Sequence, residues 1–129
     1  MSLTSEHEKM LTTEMLGWLT TVRGDQPQSS PVGYLWSDGA LWIRSEPAQL
    51  KIRNIAGNPL VSFHLDQSGR RVVSMECQGA CIDRFPDHVR AQYNEKYEAT
   101  AAAMDSTVDE LEAKFSACLR LDPTRVRAW

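Results

Sequence analysis

The chain has 129 residues, 42% of them hydrophobic and 24% charged, with a formal net charge of −3. That size and balance suit one globular domain over residues 1–129, large enough to bury a core without disulfide or metal staples. The slight acidity speaks against a general nucleic-acid binder, and no run of about 18 apolar residues exists to cross a membrane as a helix.

The first predicted element is a short helix over about 5–16. Ser5-x-x-Glu8 reads as its capping box, Met10, Leu11, Met15 and Leu16 carry its apolar spacing, and Gly17 ends it. Residues 18–23, rich in β-branched and aromatic side chains, predict a strand, and residues 28–36 predict a second. Ser37-Asp38-Gly39 is a hairpin turn leading into a third strand over 40–45. Residues 47–58 open on proline and close on Gly57-Asn58-Pro59, which brackets a helix. In the next strand, 60–66, Val61, Phe63 and Leu65 face one side while Ser62, His64 and Asp66 face the other. A long strand over 72–85 places Val73, Met75, Cys77, Gly79, Cys81 and Phe85 on an apolar face. Helices over about 87–103 and 107–116 follow, and one or two short strands end the chain. Trp18, Trp36 and Trp42 are expected in the core. Antiparallel strands at hairpin spacing with few helices between them predict a mostly β fold, a small closed or partly closed barrel with peripheral helices.

No nucleophile elbow, zinc-protease motif or phosphate-binding P-loop is present, and no side chain is assigned a catalytic role. The three cysteines, Cys77, Cys81 and Cys118, form no C-x-x-C pair, and His7, His64 and His88 are scattered. No metal site is therefore expected, and free thiols point to a reducing cytoplasm. His64 reads more readily as a structural strand residue than as a base.

Residues 44–54 carry more chemistry. Arg44 ends a strand, Ser45 and Pro47 lead into a helix with free N–H groups, and Lys51 and Asn54 share one helical face. A guanidinium, an ammonium and a helix N-terminus within one turn suit a phosphate; an ordinary surface helix with solvated cations fits equally well. Ser29-Ser30-Pro31-Val32 is the second unusual stretch. Proline removes a ladder donor, so this strand lies at an edge or is bulged, with backbone groups free to meet a planar polar ring.

The ordered series T-x-R-x-D (21–25), S-x-P-V (29–32), W-x-x-G-x-L (36–41), K-x-R-N (51–54) and N-P-x-V-S (58–62) resembles the pyridoxamine 5′-phosphate oxidase-like split β-barrel superfamily of flavin and deazaflavin oxidoreductases. Within it the chain is most similar to the small coenzyme F-420-dependent branch. The resemblance implies an FMN-binding-like split barrel and a cytoplasmic homodimer with cofactor at the subunit interface. It implies hydride transfer from the deazaflavin to a small unsaturated substrate, with no nucleic-acid or membrane partner. FMN is the alternative cofactor, and a non-catalytic barrel that carries flavin or haem is the alternative role. Carried over by position, Ser29, Ser30, Pro31 and Val32 would lie along the ring. Trp42, Ile43, Arg44 and Ser45 would follow the ribityl chain. Lys51 would bind the phosphate with Arg53 or Asn54 assisting, and Trp129 would approach the ring from the partner. True pyridoxamine phosphate oxidases carry a C-terminal Arg and His segment that is lacking before Trp129, so vitamin B6 oxidation is not expected.

Overall fold

A computed structural model describes residues 3–129. The elements in chain order are α1 (Ser5–Thr13), β1 (Gly17–Arg23), β2 (Gln26–Val32), β3 (Leu35–Ser37), β4 (Ala40–Ser45), α2 (Leu50–Gly57), β5 (Leu60–Gln67), β6 (Arg71–Ile82), α3 (Asp87–Ala103), α4 (Val108–Lys114) and β7 (Ala117–Ala128). All seven strands join one antiparallel sheet in the order β2-β1-β5-β6-β7-β4-β3. The two outermost strands, β2 and β3, are consecutive in the chain, joined only by Gly33 and Tyr34. A sheet whose opposite edges are so closely tethered must curl on itself. The result is a barrel, split where β2 meets β3. This is the mostly β barrel with peripheral helices that the strand pattern predicts.

Strand alternation fills the barrel. Leu19, Leu41, Ile43, Phe63, Val73, Met75, Leu119 and Leu121 are essentially inaccessible to solvent and form one cluster. Each such side chain contributes roughly 1.5–3 kcal/mol of hydrophobic stabilisation. A second cluster lies between β4 and α3, where Trp42 meets Phe85 edge-on at 5.9 Å and Val89 and Tyr93 close over them.

The split is sealed by α3. The Tyr34 N–H donates to Tyr97 Oη at 2.7 Å, and the Tyr34 carbonyl accepts from Lys96 Nζ at 2.8 Å. Gly33 lets Tyr97 this close: a Cβ there would sit 3.0 Å from Tyr97 Oη. The Tyr34 ring is fully buried and packs edge-on to Phe63 at 4.9 Å. Lys96 also lies 3.9 Å from the centre of that ring. Burial pushes the Lys96 ammonium down to about 8.

Several local expectations are corrected. The predicted strand over 28–36 is two strands, because the chain crosses the split at Gly33. Helix α1 is capped by Thr4 with His7, and not by Ser5 with Glu8. It ends at Thr13, and Gly17 belongs to β1, where the Phe63 ring covers its backbone so closely that a Cβ would lie 2.1 Å from Cζ. Trp18 points outward at 46% exposure, and Cys81 is exposed. The closing segment is one twelve-residue strand; Pro123 is accommodated beside a register shift at Glu76/Cys77.

Two outcomes follow from the seal. Tyr97→Phe removes the partner of a buried amide and should lower unfolding free energy by about 1–3 kcal/mol in urea titrations. Lys96 titrates near 8 when folded and near 10.5 when unfolded, so the unfolded chain binds more protons between those values. Its contribution to stability is least favourable below pH 8 and rises with pH above it. Lys96→Met should lower the stability–pH slope between about pH 8 and 10 relative to the wild type, while the thiols of Cys77, Cys81 and Cys118, raised by burial, act in the opposite sense in both proteins.

Candidate functional site

Strand β2 pairs with β1 alone, so its other edge is unpaired within the sheet. Pro27 and Pro31 are tolerated there because only one side of the strand needs a full ladder. Beside β2 lies the start of α2. Its N-cap, Gln49, makes no side-chain cap hydrogen bond; the Ile52 N–H donates to the Gln49 carbonyl, and the Leu50 and Lys51 N–H groups stay open at the positive end of the helix dipole. Strand and helix enclose a cavity of about 200 Å³, lined by Thr21, Gln28, Ser29, Ser30, Gln49, Leu50 and Lys51.

Lys51 is the one cation lining this cavity. It is half-buried and makes no ion pair among the described residues. Desolvation lowers its pKa, and the Glu46 carboxylate opposes that shift from a distance. Beneath it, Asn54 is buried and donates through Nδ2 to Thr21 Oγ1 at 3.0 Å and to Gln28 Oε1 at 2.7 Å. Asn54 therefore fixes two lining side chains and does not itself line the cavity. Ser29 Oγ lies 2.7 Å from Thr20 Oγ1. The geometry provides hydroxyls, amides, open helix N–H groups and a single uncompensated cation, a donor set for an oxyanion.

The remaining sequence-predicted residues are dispersed. Pro31 is exposed beside Trp18, and Val32 is in the barrel core. Ile43 and Ser45 are buried along β4, and Ser45 Oγ donates to the Glu46 carbonyl. Trp42 is packed under α3, with Nε1 donating to the Ser37 carbonyl. Arg53 is exposed on α2. The Trp129 indole is 61% exposed, while its backbone exchanges two hydrogen bonds with Val72 and its carbonyl accepts from His7 Nε2.

Arg44 lies apart from Lys51. Its side chain is only 7% exposed, donates to Asn94 Oδ1 at 2.7 Å and to Glu112 Oε2 at 3.2 Å, and stacks over Tyr93 at 4.6 Å. Helix α2 begins at Leu50 and not at Pro47, so Arg44, Ser45 and Lys51 do not converge on one helix N-terminus. The cavity's partners for Lys51 are instead Thr21, Gln28 and Gln49. The antiparallel register opposing Thr21 to Gln28 would have revealed two of them, but it requires knowing the β1–β2 turn.

A curled seven-stranded antiparallel sheet, split between β2 and β3, with an open edge strand and a polar cavity beside a helix start, defines a split barrel. The sequence matches the pyridoxamine 5′-phosphate oxidase family model over residues 3–129, and the chain belongs to that family. No curated protein matches it. Among solved structures, HutZ, the haem storage protein of Vibrio cholerae, superposes with a TM-score of 0.77 at 18% identity, over 98% of this chain and 94% of that one. An F420 reductase superposes at 0.73 with 21% identity, covering 97% and 98%. A FAD-binding protein of Mesorhizobium loti superposes at 0.72 with 24% identity, covering 98% and 92%. These likenesses establish a shared fold. No described helix is long and apolar enough to cross a membrane.

Asn54→Ala should leave the barrel folded but cost about 1–3 kcal/mol in chemical denaturation. In amide-resolved NMR the Gln28 side-chain signals should broaden or shift, because its oxygen loses a buried donor.

Proposed function

We propose that the chain is an oxidoreductase of the split-barrel type that binds a deazaflavin of the coenzyme F-420 kind, with FMN as the alternative cofactor. The single observation that carries this reading is Lys51, half-buried and without an ion pair at an open helix N-terminus. Removing an ammonium from water without a counter-charge is unfavourable, and an incoming phosphate offsets that cost. The residues fit such a group. Lys51 supplies the charge, the Leu50 and Lys51 N–H groups the dipole, and Ser29 and Ser30 the hydroxyls. The unpaired edge of β2 gives the ring backbone partners over Ser29, Ser30, Pro31 and Val32. When bound, the cofactor supplies hydride transfer to an electron-poor double bond.

The preference for the deazaflavin rests on the family resemblance together with the cations left over. Arg53 lies on the same helix as Lys51, and Arg23 ends β1; both are exposed and make no ion pair among the described residues. They suit an acidic tail beyond the phosphate. Trp18, Leu60 and Trp129 expose 46%, 58% and 61% of their surface, which suits a second copy closing over the cofactor, with Trp129 reaching the ring from the partner. Similarity to a haem storage protein favours one further reading, a barrel that carries haem without turnover.

One titration series separates these. Purified protein is titrated with coenzyme F-420, FMN and haemin, followed by fluorescence and absorbance. The expected result is tightest binding of F-420, weakened at least about ten-fold by Lys51→Ala, since a charge-assisted bond is worth about 1.5–3 kcal/mol. Sedimentation should give a dimer that Trp18→Glu converts to a monomer with loss of cofactor. Tight FMN binding with none of F-420 moves the assignment to the flavin. A Soret band with no effect of Lys51→Ala overturns the phosphate site.

A further inference from the structure

Val108 and Leu111 of helix α4 and Phe115 at its C-cap follow helical spacing, the pattern of a helix face meant for burial. Yet all three are only half-buried, and no residue of α4 is fully buried. They face a cleft of about 260 Å³ between α4, α3 and the Gly33 link of the barrel split. The opposite wall is made by Tyr93 and Tyr97, whose rings lie 4.9 Å apart at 35°. The cleft shares no residue with the cavity at Lys51.

The polar groups of the cleft are concentrated at Arg44 and its neighbour Asn94. Arg44 is buried at the boundary between this apolar cleft and a second, polar cavity. Its counter-charge is incomplete. Glu112 is the only carboxylate paired with it, and Glu112 also takes Arg90 Nε at 2.9 Å. Two guanidinium groups thus share one carboxylate, and Arg44 has N–H donors beyond those given to Asn94 and Glu112. A low-dielectric cleft with aromatic walls and a partly neutralised guanidinium at one end recognises a flat apolar body bearing an anion.

We propose that this cleft binds a small aromatic or polycyclic acid. The apolar body lies between Tyr93 and Tyr97 on one side and Leu111 and Phe115 on the other, with its carboxylate directed to Arg44 and Asn94. The volume supports a body larger than one ring: an apolar cavity of about 150 Å³ is enough for benzene. Short helix α4 is tied over the cleft by Glu112, through its contacts to Arg44, Arg90 and Asn94, and at its end by an exposed Lys114–Glu46 pair. An entering carboxylate competes for the same guanidinium, so occupancy also bears on how α4 is held.

The test uses 2-naphthoate and its neutral analogue 2-naphthamide, titrated against the full chain and followed by ligand-observed NMR. The acid should bind at least about ten times more tightly than the amide, the effect of one charge-assisted pair. Leu111→Trp, which fills the cleft from half-exposed α4, should abolish binding of both while leaving the melting midpoint and circular dichroism unchanged. Arg44→Met should erase the preference for the acid and spare the amide. If Arg44→Met does not fold, the acid–amide ratio and Leu111→Trp still decide. Equal affinity for acid and amide overturns the proposal, as does absence of binding or binding that survives in folded Leu111→Trp.

Discussion

The structure depends on how two backbone groups of one residue are satisfied. At Tyr34 the chain leaves one edge of the sheet and enters the other, so its N–H and carbonyl have no strand to pair with, although the residue is fully buried. Leaving both unpaired would cost several kcal/mol. Tyr97 and Lys96, from a helix inserted between β6 and β7, supply both partners. The barrel therefore closes through side chains of α3 and not through a ladder. Closure of this kind leaves the outer edge of β2 unpaired while keeping both ends of the sheet in place. The same helix holds Trp42 and Arg44 against the outside of β4, which creates the cleft under α4.

The fates of Arg44 and Lys51 follow from what each element faces. Both were gathered into one positive stretch by sequence proximity. The end of β4 and the start of α2 are separated by a turn over residues 46–49, and the two side chains leave in different directions. Arg44 meets a helix that brings Asn94 and Glu112, and its charge is partly cancelled inside the protein. Lys51 lines a cavity whose other lining residues are neutral, and the Glu46 carboxylate acts on it without forming an ion pair. Arg44 is thus anchored in the fold with part of its charge left over, while Lys51 keeps its charge at a cavity without an ion pair among the described residues.

Much of this architecture was legible in the sequence. Val61, Phe63 and Leu65 alternate cleanly, and β5 is found where that alternation lies; helix α3 runs over the predicted 87–103. Gly17 misled because glycine signals both a helix stop and a close approach, and here it is the Phe63 ring, 46 residues on, that requires it. Trp18 misled because an aromatic strand residue fits either face of a sheet, and register, set by the β1–β2 turn, turned it outward. The closing segment, read as one or two short strands, is a single one because a bulge opposite Glu76/Cys77 lets the long partner strand β6 absorb Pro123. At the candidate site, Lys51, Ser29 and Ser30 were readable from local chemistry and resemblance. The role of Arg44 was not, because Asn94 and Glu112 lie 50 and 68 residues away.

A fold shared by a haem storage protein, an F420 reductase and a FAD-binding protein does not by itself set which ligand is bound. What the fold provides is generic: an unpaired strand edge beside the start of a helix. Discrimination has to come from groups that the barrel does not need for folding. In this chain exposed residues of that kind are Arg53 on α2, Arg23 at the end of β1, and Trp18 and Trp129 on open faces. None of them packs into the core cluster, so each can change with little effect on stability. A barrel held closed by Tyr97 and Lys96, far from these positions in the chain, can vary at these exposed positions without altering its fold.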